Sequence, residues 1–274
     1  MRVKCGVIGD PIAHSLSPLI HGAWLKEFKI DGSYQTLHVP SGELAVALKR
    51  FEAEQIHRVN VTLPHKIAAL DLASSASDTA SKIGAANTLT YTHGLGWAAE
   101  NTDAPGFSLA LLEALGHNDL AGSEIIVLGA GGASRGVVHA LHQAGAKLTI
   151  LNRTEARAEQ LSSELTEGQA RTGPLEAFDK SLRSDSVVIN TASWGHQGDQ
   201  LVLPNQAGAL FFDISYGKAV TTQLEHAHHH GWQVQDGLGM LVAQAAKSFE
   251  IWFGHIPNRS EALFRCRNAL KTTL

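Results

Sequence analysis

The chain has 274 residues, of which 44% are hydrophobic and 18% charged, a composition typical of a globular protein with one large or two moderate domains. Its 22 basic and 26 acidic residues give a formal charge of −4 without a polybasic block, so the overall charge provides no attraction for nucleic acid or an anionic membrane. Cys5 and Cys266 are too few for a disulfide framework or a cysteine-rich zinc site, and they favour a reducing cytoplasm. The N-terminal residues predict a strand instead of a signal peptide, and no apolar run is long enough to span a membrane.

Strands and helices alternate in the first third of the chain. The hydrophobic pattern predicts strands at residues 4–9, 33–38 and 58–62, helices at 19–28, 44–54 and 66–72, and a hairpin formed by 86–91 and 96–100. These mixed elements precede a glycine-rich segment and are expected to form a unit of their own.

A strand, a glycine-rich turn, a helix and a second strand follow. Residues 125–128 are apolar, as in a strand buried on both faces of a parallel sheet. Gly129 allows a sharp turn, and Gly131 or Gly132 lets the backbone approach a pyrophosphate, which the N-terminus of the next helix attracts. Ser134 occupies the third glycine position of the fingerprint, and a plain strand-to-helix turn is the alternative. The order of elements favours a dinucleotide site.

The second strand of this segment ends at Asn152, Arg153 and Thr154. An NAD enzyme would place an acidic residue here, on the adenosine ribose. A guanidinium instead offers a fork of donors that matches a 2′-phosphate. The sequence therefore predicts NADP in preference to NAD, with a solvated surface arginine as the alternative interpretation.

The remainder of the chain predicts strands at residues 186–190, 210–214 and 233–234, with a weakly periodic crossover before the first, and a helix at 239–253. A histidine run at 226–230 is interpreted as a polar helix end and not a metal site, because adjacent side chains point in different directions on a helix. The predicted fold is α/β with two domains. Residues 1–104 plus 239–274 form a substrate-binding domain to which the C-terminal helices return, and 105–238 form a Rossmann-type doubly wound NADP-binding domain.

Three further segments carry polar side chains at the ends of predicted elements. Ser15 and Ser17 stand at a helix entrance, where both hydroxyls can bind one carboxylate, although Ser17 before Pro18 is also a good N-cap. Lys66 begins a helix, where the dipole disfavours a cation, so a functional role is more plausible than a structural one. Asp103 is a candidate partner for Lys66, although taken singly it is an ordinary turn residue.

Taken together, these segments resemble the shikimate dehydrogenase family, NADP-dependent enzymes of aromatic amino-acid biosynthesis. The resemblance spans almost the whole chain and rests on an ordered series of motifs. They are Ser15-Leu-Ser-Pro18, Asn60-Val-Thr-Leu-Pro-His-Lys66, Gly84-Ala-Ala-Asn-Thr88, Asn101-Thr-Asp103, Gly129-Ala-Gly-Gly-Ala-Ser-Arg135, Asn152-Arg-Thr154, and Gly237-Leu-Gly-Met-Leu-Val-Ala-Gln-Ala245 with Phe249 and Trp252.

The resemblance implies reversible hydride transfer between NADPH and 3-dehydroshikimate, giving shikimate, in a cleft between two α/β domains and without a metal. Lys66 and Asp103 are the implied proton-transfer pair. The residues implied to bind substrate are Ser15, Ser17, Thr62, Lys66, Asn87, Asp103, Tyr216 and Gln244. The residues implied to bind cofactor are Asp78, Gly129, Ala130, Gly131, Gly132, Ala133, Asn152, Arg153, Thr154, Arg157, Ile214 and Gly237.

Two alternatives stay open at this point. A quinate/shikimate dehydrogenase paralogue shares the same frame, although such enzymes commonly carry an acidic residue where this chain has Arg153. A metabolite-sensing module without turnover is a second alternative, which the presence of both Lys66 and Asp103 disfavours. The expected partners are a small-molecule substrate, with no nucleic acid and no membrane, and the expected state is a cytoplasmic monomer or homodimer.

Overall fold

A computed structural model describes residues 2–116, 118–192, 201–205 and 209–271 of the protein, which folds into two compact units. Unit 1 comprises Met1–Gly106 and Leu241–Ala269, and unit 2 comprises Phe107–Met240 and the residues from Leu270 onward. The sequence places the corresponding divisions after residues 104 and 238. The assignment of substrate to one unit and NADP to the other stays a prediction.

Unit 1 contains a six-stranded mixed sheet in the order β2-β1-β3-β5-β6-β4. β1 pairs in parallel with β2 and β3, whereas β5 runs antiparallel to β3 and β6. The ends of β1, β3 and β6 and the start of β5 therefore lie at one edge of the sheet. The strands are β1 (Val3–Gly9), β2 (Gly32–His38), β3 (Ile56–Val61), β4 (Ser75–Ala76), β5 (Thr88–Thr92) and β6 (Gly96–Glu100).

Helices follow the strands of unit 1 and bury their apolar faces. In the second helix the buried residues Leu44, Ala47, Leu48 and Phe51 recur every three or four positions and pack against Val59 and other strand residues in one core. The helices in this part of the chain are α1 (Ser17–Glu27), α2 (Leu44–Ala53), α3 (Lys66–Asp71), α4 (Asp78–Ile83) and α5 (Asp103–Leu115), which continues into unit 2.

The element types predicted for unit 1 are confirmed, with some bounds shifted and two short elements missed. α1 begins at Ser17, two residues before the predicted start, because Pro18 fits the first turn, where its missing N–H costs no hydrogen bond. The missed elements are β4 and α4. The start and end signals of α4 are nevertheless present, since the Ser77 hydroxyl accepts from the Ala80 N–H at 3.1 Å and Gly84 has φ +70°.

Unit 2 contains a six-stranded, wholly parallel sheet in the order β12-β11-β10-β7-β8-β9. The chain runs outward from β7 through β8 to β9 and then returns to β10 beside β7, which is the doubly wound Rossmann order predicted from the sequence. The strands are β7 (Glu124–Leu128), β8 (Lys147–Asn152), β9 (Arg171–Pro174), β10 (Val187–Asn190), β11 (Leu210–Asp213) and β12 (Gln233–Gln235).

The crossovers of unit 2 explain why the sequence pattern was weak before β10. This connection contains only a short 3₁₀ helix, Leu175–Ala177, and the four-residue helix α8 (Phe178–Ser181). The strand β9 that precedes it was not predicted. The full-length helices are α6, α7 and α9, and α9 ends in the histidine run, as expected of a polar helix end. The helices described in unit 2 are α6 (Gly132–Gln143), α7 (Glu155–Thr166), α8 (Phe178–Ser181) and α9 (Lys218–His229).

Two further helices follow β12. α10 (Leu238–Phe253) starts in unit 2 and continues into unit 1, and α11 (Arg259–Leu270) follows it. Within the described parts of the chain, no helix combines the length and apolarity needed to cross a membrane. The same residues contain no cluster of three or more His, Cys, Asp or Glu side chains arranged to hold a metal ion.

The aromatic core of unit 1 encloses His21 on α1. The His21 ring stacks on Tyr34 with centroids 4.3 Å apart, and neither ring nitrogen has a hydrogen-bond partner among the described residues. Burial disfavours the charged imidazolium and lowers the pKa of His21 from 6.5 to about 3. The folded protein therefore keeps this side chain neutral at pH values where the unfolded chain protonates it.

We expect His21 to make unfolding sensitive to mild acid. Its contribution to stability is complete above the unfolded pKa of 6.5 and is lost as pH falls toward about 3, by at most ~1.4 kcal/mol per pH unit. The free energy of unfolding should be measured by urea titration at several pH values for the wild type and His21→Gln. The variant should show a shallower slope between pH 6.5 and the folded pKa. Parallel slopes would contradict the burial of a neutral His21.

Candidate functional site

A nearly buried ion pair lies at the shared strand edge of unit 1. Lys66 is the first residue of α3 and Asp103 the first residue of α5. Lys66 Nζ lies 2.8 Å from Asp103 Oδ2, and the two side chains are 14% and 9% exposed. The positive end of the α5 dipole stabilises the Asp103 carboxylate. The same end of α3 destabilises the Lys66 ammonium group, and the neighbouring Asp103 carboxylate compensates for this. The predicted pair is therefore formed in the structure.

Two amides complete this cluster. Asn87 Nδ2 donates to Asp103 Oδ1 at 2.9 Å and lies 3.2 Å from Gln244 Oε1. Gln244 comes from α10 and is held by its own donation to the Leu241 carbonyl at 2.9 Å. Gly106 allows α5 to approach it, because an added Cβ would lie 2.7 Å from Gln244 N. The structure thus brings together four of the predicted site residues.

The remaining predicted substrate residues of unit 1 lie at the same edge, Ser15 and Thr62 on loops and Ser17 at the start of α1. Thr62 follows β3 and its N–H donates to the Ile8 carbonyl at 2.9 Å. Ser15 follows β1, and its hydroxyl accepts from the Ser17 N–H at 3.3 Å. The alternative of Ser17 as an N-cap is wrong, because Leu16 holds that position and makes no side-chain cap. Ser17 is instead the first residue of the helix and is buried.

A buried polar network that the sequence analysis missed lies behind the ion pair. The Tyr34 hydroxyl donates to Asn60 Oδ1 at 2.7 Å, and burial raises the pKa of Tyr34 well above its usual value, so the phenol stays protonated. Asn60 Nδ2 then donates to Ser248 Oγ at 2.9 Å. The sequence contains one indication of this network. Ser248 lies one turn after Gln244, so two polar residues share one face of an otherwise apolar helix. The missed residues are Asn60, Thr88, Thr102 and Ser248, all at most 5% exposed.

The glycine-rich loop of unit 2 begins where β7 ends, at the switch point beside β10. Gly129 has φ +104°, and an added Cβ would lie 2.7 Å from Thr191 Oγ1, so only glycine fits. At Gly131 and Gly132 an added Cβ would meet no atom within 4 Å. The backbone at these two glycines, between Ala130 and Ala133, is therefore not covered by other atoms on the side where a Cβ would stand, at the point where α6 starts. This geometry fits an anionic phosphate.

Ser134 replaces the third fingerprint glycine with a buried hydroxyl that fixes the loop. Its Oγ accepts from the Gly131 N–H at 3.0 Å and lies 2.6 Å from Thr191 Oγ1. Thr191 in turn donates to the Leu128 carbonyl at 2.8 Å. The departure from the glycine pattern therefore ties the loop to β7 and to the residue after β10, a role for Thr191 that the sequence did not indicate.

Two exposed cations follow β8. Asn152 Nδ2 donates to the Thr154 carbonyl at 2.8 Å and so shapes the turn that carries Arg153. Arg157 lies in the first turn of α7, where its N–H donates to the Thr154 carbonyl at 3.0 Å. Within the described ranges neither guanidinium has an ion pair, so both charges are available to an anion. The donor set fits a 2′-phosphate.

The other predicted residues are placed individually. Ile214 follows β11. An added Cβ at Gly237 would collide with the Ile214 carbonyl, so close packing alone explains why this position is glycine. Tyr216 belongs to unit 2 and is partly buried. Asp78 belongs to unit 1, where it is the exposed first residue of α4 and complements that helix's dipole. The roles of these residues stay predictions.

The comparisons with known proteins cover both units. Family models match residues 7–89 (shikimate dehydrogenase substrate binding domain), 111–236 (shikimate / quinate 5-dehydrogenase) and 237–262 (shikimate 5′-dehydrogenase C-terminal domain). The chain is 48% identical over 268 residues, 98% of each protein, to a shikimate dehydrogenase (NADP(+)) of Hyphomonas neptunium.

Solved structures give the same result. Shikimate dehydrogenase from Aquifex aeolicus aligns with a TM-score of 0.88 at 32% identity, over 97% of this chain and 98% of that one. Shikimate 5-dehydrogenase from Thermus thermophilus in complex with NADP(H) and shikimate aligns with a TM-score of 0.84 at 36% identity, over 98% and 100%. The chain therefore belongs to the shikimate dehydrogenase family.

Proposed function

We propose that the protein is an NADP-dependent oxidoreductase that interconverts 3-dehydroshikimate and shikimate in aromatic amino-acid biosynthesis. The observation that carries this proposal is the Lys66–Asp103 pair, 2.8 Å apart and held by the Asn87 amide. A shielded ammonium–carboxylate pair suits proton exchange with an alcohol that is being oxidised. Family membership and the relatives named for NADP and shikimate support the same activity.

NADP fits the residues of unit 2. When bound, it supplies hydride acceptance in one direction and hydride donation in the other. Residues Gly129 to Ala133 would surround the pyrophosphate. The Gly129 and Gly131 N–H groups already donate to the Leu151 carbonyl and to Ser134 Oγ, so the N–H groups that start α6 would bind it. Arg153, with Thr154 and Arg157, would hold the 2′-phosphate. Asp78, Asn152, Ile214 and Gly237 complete the proposed cofactor set.

The substrate-side residues would hold the ring and manage its proton. Ser15 and Ser17 bind the carboxylate through their hydroxyls, near the start of α1. The other proposed ligands of the ring hydroxyls are Thr62, Asn87, Tyr216 and Gln244. Oxidation of a secondary alcohol removes one hydride from carbon and one proton from oxygen, and the Lys66–Asp103 pair takes that proton. In the reduction direction the same pair returns it.

Quinate is the second candidate substrate, because the model matched over residues 111–236 is described for both shikimate and quinate enzymes. Arg153 favours the shikimate enzyme, since a paralogue that uses NAD is expected to carry an acidic residue at the ribose. A sensing module without turnover is disfavoured by the intact pair. We further propose a cytoplasmic monomer or homodimer, which sedimentation equilibrium and cell fractionation would test.

Product identification tests the proposed reaction. The purified protein is incubated with shikimate and NADP, and the product is compared by chromatography and mass spectrometry with authentic 3-dehydroshikimate. We expect a product that lacks two hydrogen atoms relative to shikimate and that returns to shikimate with NADPH. Quinate oxidised in place of shikimate would assign the paralogue, and unchanged shikimate would contradict the proposal.

A further inference from the structure

The buried network in unit 1 converges on one hydroxyl outside the proposed catalytic set. Ser248 is fully buried on α10, and its Oγ lies within 3.1 Å of polar atoms from four other residues. These partners come from β3, from the start of β5, from the segment before α5 and from α10 itself. They are Asn60 Nδ2 at 2.9 Å, Thr88 Oγ1 at 2.8 Å, Thr102 Oγ1 at 3.1 Å and the Gln244 carbonyl at 3.1 Å.

The orientation of the Asn87 amide follows from its partners. A backbone N–H can only donate, and the Thr102 N–H lies 2.7 Å from Asn87 Oδ1, which must therefore be the oxygen. Asn87 Nδ2 then points to Thr102 Oγ1 and to Asp103 Oδ1, both at 2.9 Å. One amide thus couples the Thr102 hydroxyl to the carboxylate of the proton-transfer pair.

The Thr102 hydroxyl accepts from Asn87, so its own proton needs another acceptor. Ser248 Oγ at 3.1 Å is nearer than Asn87 Oδ1 at 3.2 Å or Gln244 Oε1 at 3.5 Å. Ser248 can give its single proton to Thr88 Oγ1 at 2.8 Å or to the Gln244 carbonyl at 3.1 Å, and its lone pairs can accept from Asn60 and Thr102. A continuous chain of hydrogen bonds therefore links Asn87, Thr102 and Ser248.

We propose that Ser248 is a positioning residue for the reaction. By fixing the Thr102 hydroxyl, it holds the Asn87 amide on Asp103 Oδ1 and leaves Oδ2 directed at Lys66 Nζ. The residue touches none of the reacting groups itself, and the inference rests on the proposed function of the Lys66–Asp103 pair. Misplacement of a proton-transfer pair slows the chemical step, whereas substrate binding depends on many contacts and changes little.

Ser248→Ala tests the proposal, with Ser162→Ala as the matched control. Ser162 is also a buried helix serine, and its hydroxyl bonds Thr166 and Ala170 in unit 2. We expect kcat to fall about tenfold in Ser248→Ala, the effect of one lost buried hydrogen bond, with KM for shikimate nearly unchanged. The kinetic isotope effect with substrate deuterated at the oxidised carbon should rise. Ser162→Ala should lose comparable thermal stability without these kinetic changes.

Thr102→Val removes the hydrogen bond between Thr102 and Ser248 by deleting the Thr102 hydroxyl. We expect the double variant with Ser248→Ala to be no slower than the slower single variant, because both changes break one coupled chain. Unchanged kcat in Ser248→Ala, or a higher KM with unchanged kcat, would overturn the positioning role. A double variant whose loss of kcat equals the product of the two single losses would overturn that role as well.

A substrate-free readout separates this inference from the proposed function. The Asn87 side-chain amide signals in ¹⁵N NMR should shift in Ser248→Ala and stay in place in Ser162→Ala. Absence of wild-type turnover would refute the proposed function, and the NMR comparison would then decide alone whether Ser248 orients Asn87. Unshifted Asn87 signals would overturn that role.

Discussion

Lys66→Ala is expected to lower kcat for shikimate oxidation by about 10²- to 10⁴-fold, the usual contribution of a general acid–base group. NADP binding, measured by calorimetry, should stay near the wild-type value, because the proposed cofactor residues other than Asp78 lie in unit 2. Turnover falls because the substrate oxygen loses its proton-transfer partner, whereas cofactor binding is kept because the Gly129 loop and Arg153 are unchanged. Steady-state rates at saturating NADP and shikimate measure the effect.

The variant also leaves the Asp103 carboxylate without its cation, which can weaken the fold. Lys66→Arg keeps a positive charge beside Asp103 but holds its proton too tightly for exchange, so it should lose activity with little loss of stability. Lys82→Ala, at an exposed position of α4, is the matched control and should behave as wild type. Loss of NADP binding in Lys66→Ala, or full activity in Lys66→Arg, would assign Lys66 another role.

Arg153→Gln is expected to remove most of the preference for NADP. A charge-assisted hydrogen bond to phosphate contributes about 1.5–3 kcal/mol, so kcat/KM for NADP should fall by about ten- to 150-fold. The value for NAD should change little, because NAD carries no 2′-phosphate. Initial rates with each cofactor at fixed shikimate give both numbers.

Arg171→Gln is the matched control, since Arg171 is an exposed arginine at the start of β9 in the same unit. It removes the same charge from the amino-terminal end of the strand next to β8, where no cofactor contact is proposed. Equal losses for NADP and NAD in Arg153→Gln would indicate a general effect on unit 2. Equal losses of NADP use in both arginine variants would indicate long-range charge instead of a specific contact.

The sequence predicted the parts of the fold that depend on local pattern. Apolar runs located the long strands, and the glycine turn after residues 125–128 located the switch point of the doubly wound sheet. Short elements such as β4 and α8 were missed or weak because two to four residues carry too little periodicity. The strand order in unit 1 could not be predicted, because no local sequence feature indicates that β3 pairs in parallel with β1 and antiparallel with β5.

The candidate site was predictable where a side chain contradicts its local setting. Lys66 at a helix start is such a case, and Arg153 at the ribose position is another. The partners of Ser248 were not predictable, because Asn60 and Ser248 are 188 residues apart and only the folded sheet brings them together. Ser17 was ambiguous because a serine before proline is a typical N-cap sequence, whereas the helix in fact begins at Ser17 itself.

The most direct test of the account is the initial rate of NADPH formation, followed at the NADPH absorbance band, with shikimate or quinate and with NADP or NAD. The Lys66–Asp103 pair together with Arg153 predicts rapid reduction of NADP by shikimate and much slower turnover with the other three combinations. Preferential oxidation of quinate with NAD would contradict the assignment of substrate and cofactor. Absence of turnover with every combination would contradict the proposal that this chain is an enzyme.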